Sequence, residues 1–376
     1  EIYVMDDASS DATSFVSRLF SDATKMNIKI RTRDKSQGKT SSLKEIVRES
    51  NSDLIFVLDA DTILRSENYL ERLVEAHYDK EAISACGIVK STTRKDKISY
   101  YEKELAHTLR EIVRNREKNH NCEIAEKEFE KINPRSQSKL EDILRLPTIT
   151  YRKGLLNYVQ NFLNSAEQRL FKTTLVPVGC GVLYKRKKLK DLFDRFEQKL
   201  GDNLTNSEDT FIGFSICNDG HRNVQLSDVT MSTIEPKITH LLKQTYLWSS
   251  AYLQSSYYFS DLLKTPFSYL SRKKKKRGKP IGWVTCFTIL EKIAYPCLLA
   301  GLGILIDPWL IPLTIAVEHG IYAATNSVTA PRGEKLRLTF DSIISFPIRL
   351  VVLMDEFYTT ARFAYDLAMG NRNWKK

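Results

Sequence analysis

Along residues 1–92 the apolar positions follow two rhythms in turn. IYVM, IKIR, DLIFVLD and ISACGIV are short apolar or alternating runs, the pattern of strands, while Asp11 to Leu19, Ser42 to Glu49 and Tyr69 to His77 carry helical spacing. Strand and helix in alternation predict an α/β domain with a largely parallel sheet. Ligands of such sheets gather beyond the carboxyl ends of the strands, where Asp6 with Asp7 and Asp59 with Asp61 stand.

From 93 to 150 the pattern turns charged and helical, as in KELAHTLREIVRNREKNH, and reads as a helical insertion with a solvated face. Regular structure resumes with the amphipathic LLNYVQNFLNSAEQRLF and the strand-like LVPVGCGVLYKR. Beyond residue 265 a basic run, SRKKKKRGKP, precedes IAYPCLLAGLGILI, PWLIPLTIAV and SIISFPIRLVVLM. A bilayer span takes roughly 20 apolar residues, which the first run reaches only with Glu291 and Lys292 at its interface end. A buried helical subdomain is the other reading, and the adjacent basic run favours membrane with anionic lipid. The expected divisions are therefore 1–92, 93–150, 151–265 and 266–376, the last a basic linker with membrane-associated helices.

Lys and Arg outnumber Asp and Glu by 57 to 46, a formal charge of +11, which favours anionic partners. Basic runs here lack the aromatic interleaving of nucleic-acid binders, so no nucleic acid is expected. Six cysteines (Cys86, Cys122, Cys180, Cys217, Cys286, Cys297) form no C-x-x-C pair and no zinc spacing with histidine, so reduced, mostly buried thiols in a cytosolic setting are expected. No signal peptide opens the chain; it starts inside an apparent strand and is expected to begin partway through a domain.

DKSQGKTSSLKEI, followed by LIFVLDAD, raises the question of a nucleotide-binding P-loop. That loop needs G-x-x-x-x-G-K-[ST], and the first glycine position is Arg33. Without that glycine the loop cannot wrap its amides round phosphates, and the ATPase reading falls.

The ordered set VMDDASSD, QGKTSSL, VLDADT, GCGVLYKR, NSEDTFIGF and QTYLW resembles the family 2 glycosyltransferases, most of all their processive, membrane-bound branch of cellulose, chitin and hyaluronan synthases. The resemblance runs from residue 1 to about 255 and implies a GT-A type nucleotide-sugar-binding fold facing the cytosol, with a UDP-sugar donor. It implies a polysaccharide acceptor; transfer of one sugar to a lipid-linked acceptor and an inactive membrane scaffold are the alternatives.

Each motif also has its own chemistry. Asp6 or Asp7 can accept hydrogen bonds from a base and ribose, although a helix-capping turn with Asp11 explains the same residues. Lys39 can place a charge near a diphosphate, with Gly38 permitting close backbone approach. At the end of a buried strand Asp59 and Asp61 face one side, because side chains alternate, and suit a hard cation, Mg²⁺ or Mn²⁺; the resemblance implies Asp61 as the metal ligand and Asp59 as a nucleotide contact. It likewise implies Asp209 as the base that deprotonates the acceptor, supported by Glu208, and Gly179, Cys180 and Gly181 as part of the acceptor site. The branch usually carries Q-x-x-R-W, its arginine on the diphosphate and its tryptophan on the acceptor sugar. Here Gln244 and Trp248 keep their places but position 247 is leucine, so either Lys243, Lys237 or a base in the tail supplies the cation or the enzyme is not processive in the usual way. The resemblance also implies one further strand and helix before VMDDASSD.

Overall fold

A computed structural model describes residues 1–11, 13–24, 26–79, 81–102, 107, 139–200, 207–268 and 281–370. The chain divides into two compact units, one of residues 1–51 and 92–143, the other of residues 52–91 and 144–376. These breaks differ from the divisions the composition suggests.

The first unit opens with β1 (Ile2–Asp6), α1 (Thr13–Thr24), β2 (Ile28–Thr32) and α2 (Lys39–Glu49). β1 and β2 pair in parallel from Ile2↔Ile28 to Asp6↔Thr32, as a strand–helix–strand crossover allows. Asp11 caps α1, its carboxylate accepting from the Thr13 N–H at 3.0 Å. α2 starts at Lys39, three residues earlier than the apolar spacing predicts, because Gly38 at φ 86° turns the chain into the helix where a side chain would be strained.

The second unit is built on β3 (Leu54–Leu58), β4 (Thr62–Leu64), α3 (Tyr69–Asp79) and β5 (Ser84–Ser91). After α4 (Arg94–Tyr100) in the first unit and residues 103–106 and 108–138, most of the expected helical insertion, which lie outside the described residues, the chain continues as α5 (Lys139–Asn157). A π-helical turn, Tyr158–Leu163, leads into α6 (Asn164–Phe171). That turn aims Gln160 at the part of β5 beyond its pairing with β6, where its amide accepts from the Val89 N–H (2.7 Å) and donates to the Val89 carbonyl (2.9 Å). β6 (Gly181–Lys185), α7 (Arg186–Leu200), α8 (Glu208–Asn218) and β7 (Asn223–Thr233) complete the α/β part.

The expected largely parallel sheet is corrected here. The five strands lie in the order β3-β6-β5-β7-β4, and among the described pairs of this sheet only β5 with β7 is parallel. β6 enters beside the end of β3 and runs back along it, Leu58 opposite Gly181, and antiparallel to β5 too. Periodicity shows that a strand exists but carries no direction.

α3 buries Tyr69, Leu73 and Ala76 against Ala85, Val89, Leu183, Val224 and Met231 of the sheet. The Tyr69 hydroxyl donates to the Gly181 carbonyl (2.8 Å) and accepts from the Gly87 N–H (2.9 Å). α8 is buried at every position from Thr210 to Cys217, which fits a helix apolar all round rather than on one stripe.

Then come α9 (Ile238–Tyr258), α10 (Asp261–Ser268), α11 (Gly282–Ile289), a second π-helical turn (Leu290–Ala294), α12 (Tyr295–Leu305), α13 (Leu310–Thr329), α14 (Lys335–Ile344) and α15 (Phe346–Ala368). SRKKKKRGKP lies outside the described residues. These helices are tied to α5 by buried polar contacts: Asn157 donates to Asn326 (2.9 Å), which donates to the Gly154 carbonyl (3.0 Å) and the Ser342 hydroxyl (2.8 Å). α11 to α12 form one 24-residue helix, Gly282–Leu305, long and apolar enough to cross a membrane, with 17% of its apolar 18-residue stretch buried. Glu291 and Lys292 fall in its middle, and Lys292 faces inward, its ammonium 3.4 Å from Ser249 and 3.8 Å from Glu356.

Of the five described cysteines only Cys86 and Cys217 are buried; Cys180 and Cys286 are half-buried and Cys297 is exposed, a correction to the mostly buried set expected. Cys297 lies on the apolar helix, where exposure carries no polar signal.

Candidate functional site

In the first unit the carboxylates after β1 are used by the chain itself. Asp6, 4% exposed, accepts from the Ser9 N–H (2.9 Å) and the Ser14 hydroxyl (2.6 Å). Asp7 takes four donors on two oxygens: the Gln37 N–H (2.9 Å) and Arg33 (3.1 Å) on Oδ1, the Ser36 hydroxyl (2.6 Å) and the Gly38 N–H (2.8 Å) on Oδ2. Burial pushes the Asp7 carboxyl up, but these donors outweigh it and bring it down to about 2. Four donors fill the lone pairs of a carboxylate, so Asp7 holds the 36–38 loop that leads into Lys39. Arg33, which rules out the P-loop, has a positive reason to be there: it bridges Asp7 and Glu45. Gly38 has open space around its α-carbon, so its φ and not close approach requires glycine. Lys39, half-buried, is the first residue of α2.

In the second unit three motifs meet at the end of β3. The strand stops at Leu58, and Asp59–Thr62 is a turn closed by the Thr62 N–H on the Asp59 carbonyl (3.0 Å). The two aspartates therefore do not share a strand face, a correction to the expected alternation, since a turn and not a pleat sets their directions. The Asp59 N–H donates to the Cys180 carbonyl (3.0 Å), and one residue back the Gly179 N–H donates to Asp209 Oδ2 (3.1 Å). VLDADT, GCG and SEDT are thus joined by two hydrogen bonds.

Glu208 and Asp209 form the first turn of α8, where the orphan amides of a helix favour negative charge. Ser207 precedes them in the left-handed region, φ 45°. Asp209 Oδ1 accepts from the Thr210 N–H (2.7 Å) and the Ser207 hydroxyl (2.5 Å). A Cβ added to Gly179 would stand 2.6 Å from Asp209 Oδ2, and one on Gly181 would strike Met231 Sδ at 2.2 Å. The glycines are small because Asp209 packs on Gly179 and Met231 on Gly181. Cys180 Sγ lies 3.9 Å from Met231 Sδ.

Asp61 is exposed, the Thr62 hydroxyl 3.3 Å from its carboxylate. Among the described residues no three His, Cys, Asp or Glu side chains gather to hold a metal. A donor set of one or two carboxylates fits a cation such as Mg²⁺ or Mn²⁺ that keeps waters and takes further oxygens from substrate phosphates. Such a cation would be held by Asp61, with Asp59 beside it in the turn.

Arg152 of α5 is the residue the motifs do not point to. Its guanidinium lies over the Trp248 ring, 4.2 Å from the centroid, donates to Gln244 Oε1 at 2.8 Å, and pairs with Glu235 at 3.2 Å. Glu235, 1% exposed, also accepts from the Ser91 hydroxyl (2.6 Å), and its backbone carbonyl accepts from Arg145. Burial pushes Glu235 up, with Arg152 opposing it, and burial pushes Arg152 down. Arg152 packs on Trp248 from an element 96 positions earlier (248 less 152). Its only sequence signal is an arginine on a face that otherwise reads as core.

The model of the family described as Glycosyl transferase family 2 matches residues 1–133, which hold the Asp6–Asp7, Lys39 and Asp59–Asp61 motifs. That match covers 133 of the 376 residues and supports a glycosyltransferase activity. No curated protein matches the sequence. Among 34 matching solved chains is a mannosyltransferase from Pyrobaculum calidifontis in complex with GDP-Man and Mn²⁺, 14% identical with a TM-score of 0.45, over 96% of this chain and 76% of that one.

Proposed function

We propose that the protein is a membrane-associated, inverting glycosyltransferase that moves a sugar from a nucleotide-sugar donor, UDP-linked, to a growing polysaccharide. The observation that carries this reading is the pair of bonds Asp59 N–H to Cys180 and Gly179 N–H to Asp209, which joins a metal-type acidic turn to a carboxylate at a helix N-terminus.

In this reading the loop held by Asp7 presents Lys39 and the first amides of α2 to anionic charge. A divalent cation on Asp61 supplies Lewis-acid support to the departing diphosphate when bound. Asp209 accepts the proton of the acceptor hydroxyl as that oxygen bonds to the anomeric carbon and the bond to the diphosphate breaks. Attack from the face opposite the leaving group inverts the configuration. Held by Gly179, Ser207 and Thr210, the carboxylate needs little reorganisation.

The membrane part rests on the apolar surface of the last helices. Ile304, Leu305, Ile306 and Trp309, at the α12–α13 turn, are 81%, 82%, 71% and 77% exposed. α14 turns Leu336, Phe340 and Ile343 outward while Leu338 and Ser342 face in, with Arg332, Lys335 and Arg337 around them. That is the pattern of a helix lying in a lipid interface. A second reading, transfer of one sugar to a lipid-linked acceptor, is favoured by Leu247 and by Arg152, whose guanidinium is engaged by the protein itself.

The test is release of nucleoside diphosphate from a panel of nucleotide sugars with Mg²⁺ or Mn²⁺, comparing the membrane-extracted protein with Asp209→Asn. Loss of a general base is expected to cost about 10²–10⁴-fold in kcat. Equal release by both proteins would remove Asp209 from the chemistry, and product length would separate the two acceptors.

A further inference from the structure

The Arg152 cluster goes beyond the donor chemistry. Trp248 is 45% exposed, so its ring combines one face held by a guanidinium with surface open to a ligand. An aromatic face backed by a planar cation suits the apolar face of a sugar ring. Glu235, which holds Arg152, follows β7, and β7 pairs Thr233 with Thr62, the residue after Asp61. Asp61, Glu235, Arg152 and Trp248 therefore form one connected series running from the acidic turn to an exposed aromatic ring.

We infer that Arg152 is a positioning residue for saccharide bound on Trp248: it fixes the ring and Gln244 from α5 and ties both, through Glu235, to the strand edge that carries Asp61. The inference rests on the transferase reading for its acceptor. A buried ion pair of this kind has a plain alternative, that it only completes the fold; breaking it would then act through an uncompensated buried charge. The two differ in what a neutral replacement pair does. Arg152→Met with Glu235→Gln removes both charges together and spares the protein the orphan that either change alone leaves.

The experiment measures thermal stability, acceptor KM, donor KM, and equilibrium binding of hexasaccharides of glucose, N-acetylglucosamine and mannose. The proteins are wild type, Arg152→Lys, Arg152→Met and the double variant. A stacked cation is expected to be worth roughly 2- to 30-fold in saccharide affinity and in acceptor KM. Arg152→Lys keeps the charge but loses the planar fork, so it should weaken saccharide binding with donor KM little changed. The double variant should recover stability over Arg152→Met while saccharide affinity stays low. Recovery of affinity together with stability would overturn the inference, as would a wild type that binds none of the hexasaccharides. A wild type that binds saccharide yet releases no diphosphate from any donor would sink the transferase reading and leave the Trp248 platform standing, because binding is read without turnover.

Discussion

At the residue scale, what a side chain is for depends on which of its atoms are already taken. Asp6 and Asp7 look alike in the sequence, yet Asp6 builds a buried turn and Asp7 holds a loop through four donors. No spacing rule separates them, because the donors come from Ser14 and from residues 33–38 across the β1–β2 pair. Gly179 was legible as a small residue, but its reason was not, since Asp209 is 30 positions away in sequence. Gly179→Ala is expected to displace that carboxylate, whose nearest oxygen would lie 2.6 Å from the new Cβ. A displacement near 1 Å costs about 10²-fold in rate. Steady-state kinetics with a melting curve checks this: kcat should fall while the melting temperature moves by only a few degrees. An unchanged kcat would mean that the Gly179–Asp209 contact does not set the position of a reacting group.

At the element scale, the strands and helices of residues 1–92 were legible because each carries a complete period, whereas the sheet's directions were not, because β6 finds its partners only after α5 and α6. The amphipathic run at 155–171 carries no mark of a break, and the π-helical turn inside it is set by Gln160 reaching Val89, a contact outside the run. α6 adds a titratable group at that junction. Glu167 accepts from the Leu175 N–H at 3.0 Å, and burial pushes its carboxyl from 4.5 up to about 7. A carboxyl raised on folding holds its proton in the native chain at pH values where the unfolded chain has lost it. Its contribution is therefore fully present below pH 4.5, falls as pH rises through the window to about 7, and is constant above. Denaturant melts of wild type and Glu167→Gln at pH 5 and pH 7.5 should differ in slope, the variant losing less on going up in pH. The partial exposure of the site keeps the difference to about 1–2 kcal/mol. Parallel pH profiles would show that Glu167 has the same proton affinity folded and unfolded.

At the scale of the whole molecule, the α/β part and the terminal helices of the second unit present surfaces of different kinds. The sheet core is closed by Tyr69, Leu183, Val224 and Met231, while the helices from Gly282 onward show large apolar side chains outward. The apolar runs were legible in the sequence; their division into an inward and an outward face was not, because Lys292, Glu318, Arg349 and Glu356 are drawn inward by one another. Arg349 pairs with Glu318 at 3.0 Å and Glu356 at 2.7 Å, which spends the charges of two helices inside the bundle. From Pro296 to Val317 the one remaining charge is Asp307, at the turn itself. An apolar surface larger than a few hundred Å² is seldom left to water, and cations at its margin favour anionic headgroups. Replacing Leu305 and Ile306 together by Asp adds two charges at the α12–α13 turn without touching the buried Leu299–Ile315–Leu353 cluster. If lipid covers this turn, each Asp costs up to about 2.5–3.5 kcal/mol on insertion scales. The bound fraction in flotation with vesicles containing phosphatidylserine should then drop by at least ~10-fold, with secondary structure retained. Binding left intact would move the membrane contact away from this turn, to α14 or the basic run. A wild type that stays at the bottom of the gradient would instead leave the apolar face to another protein surface.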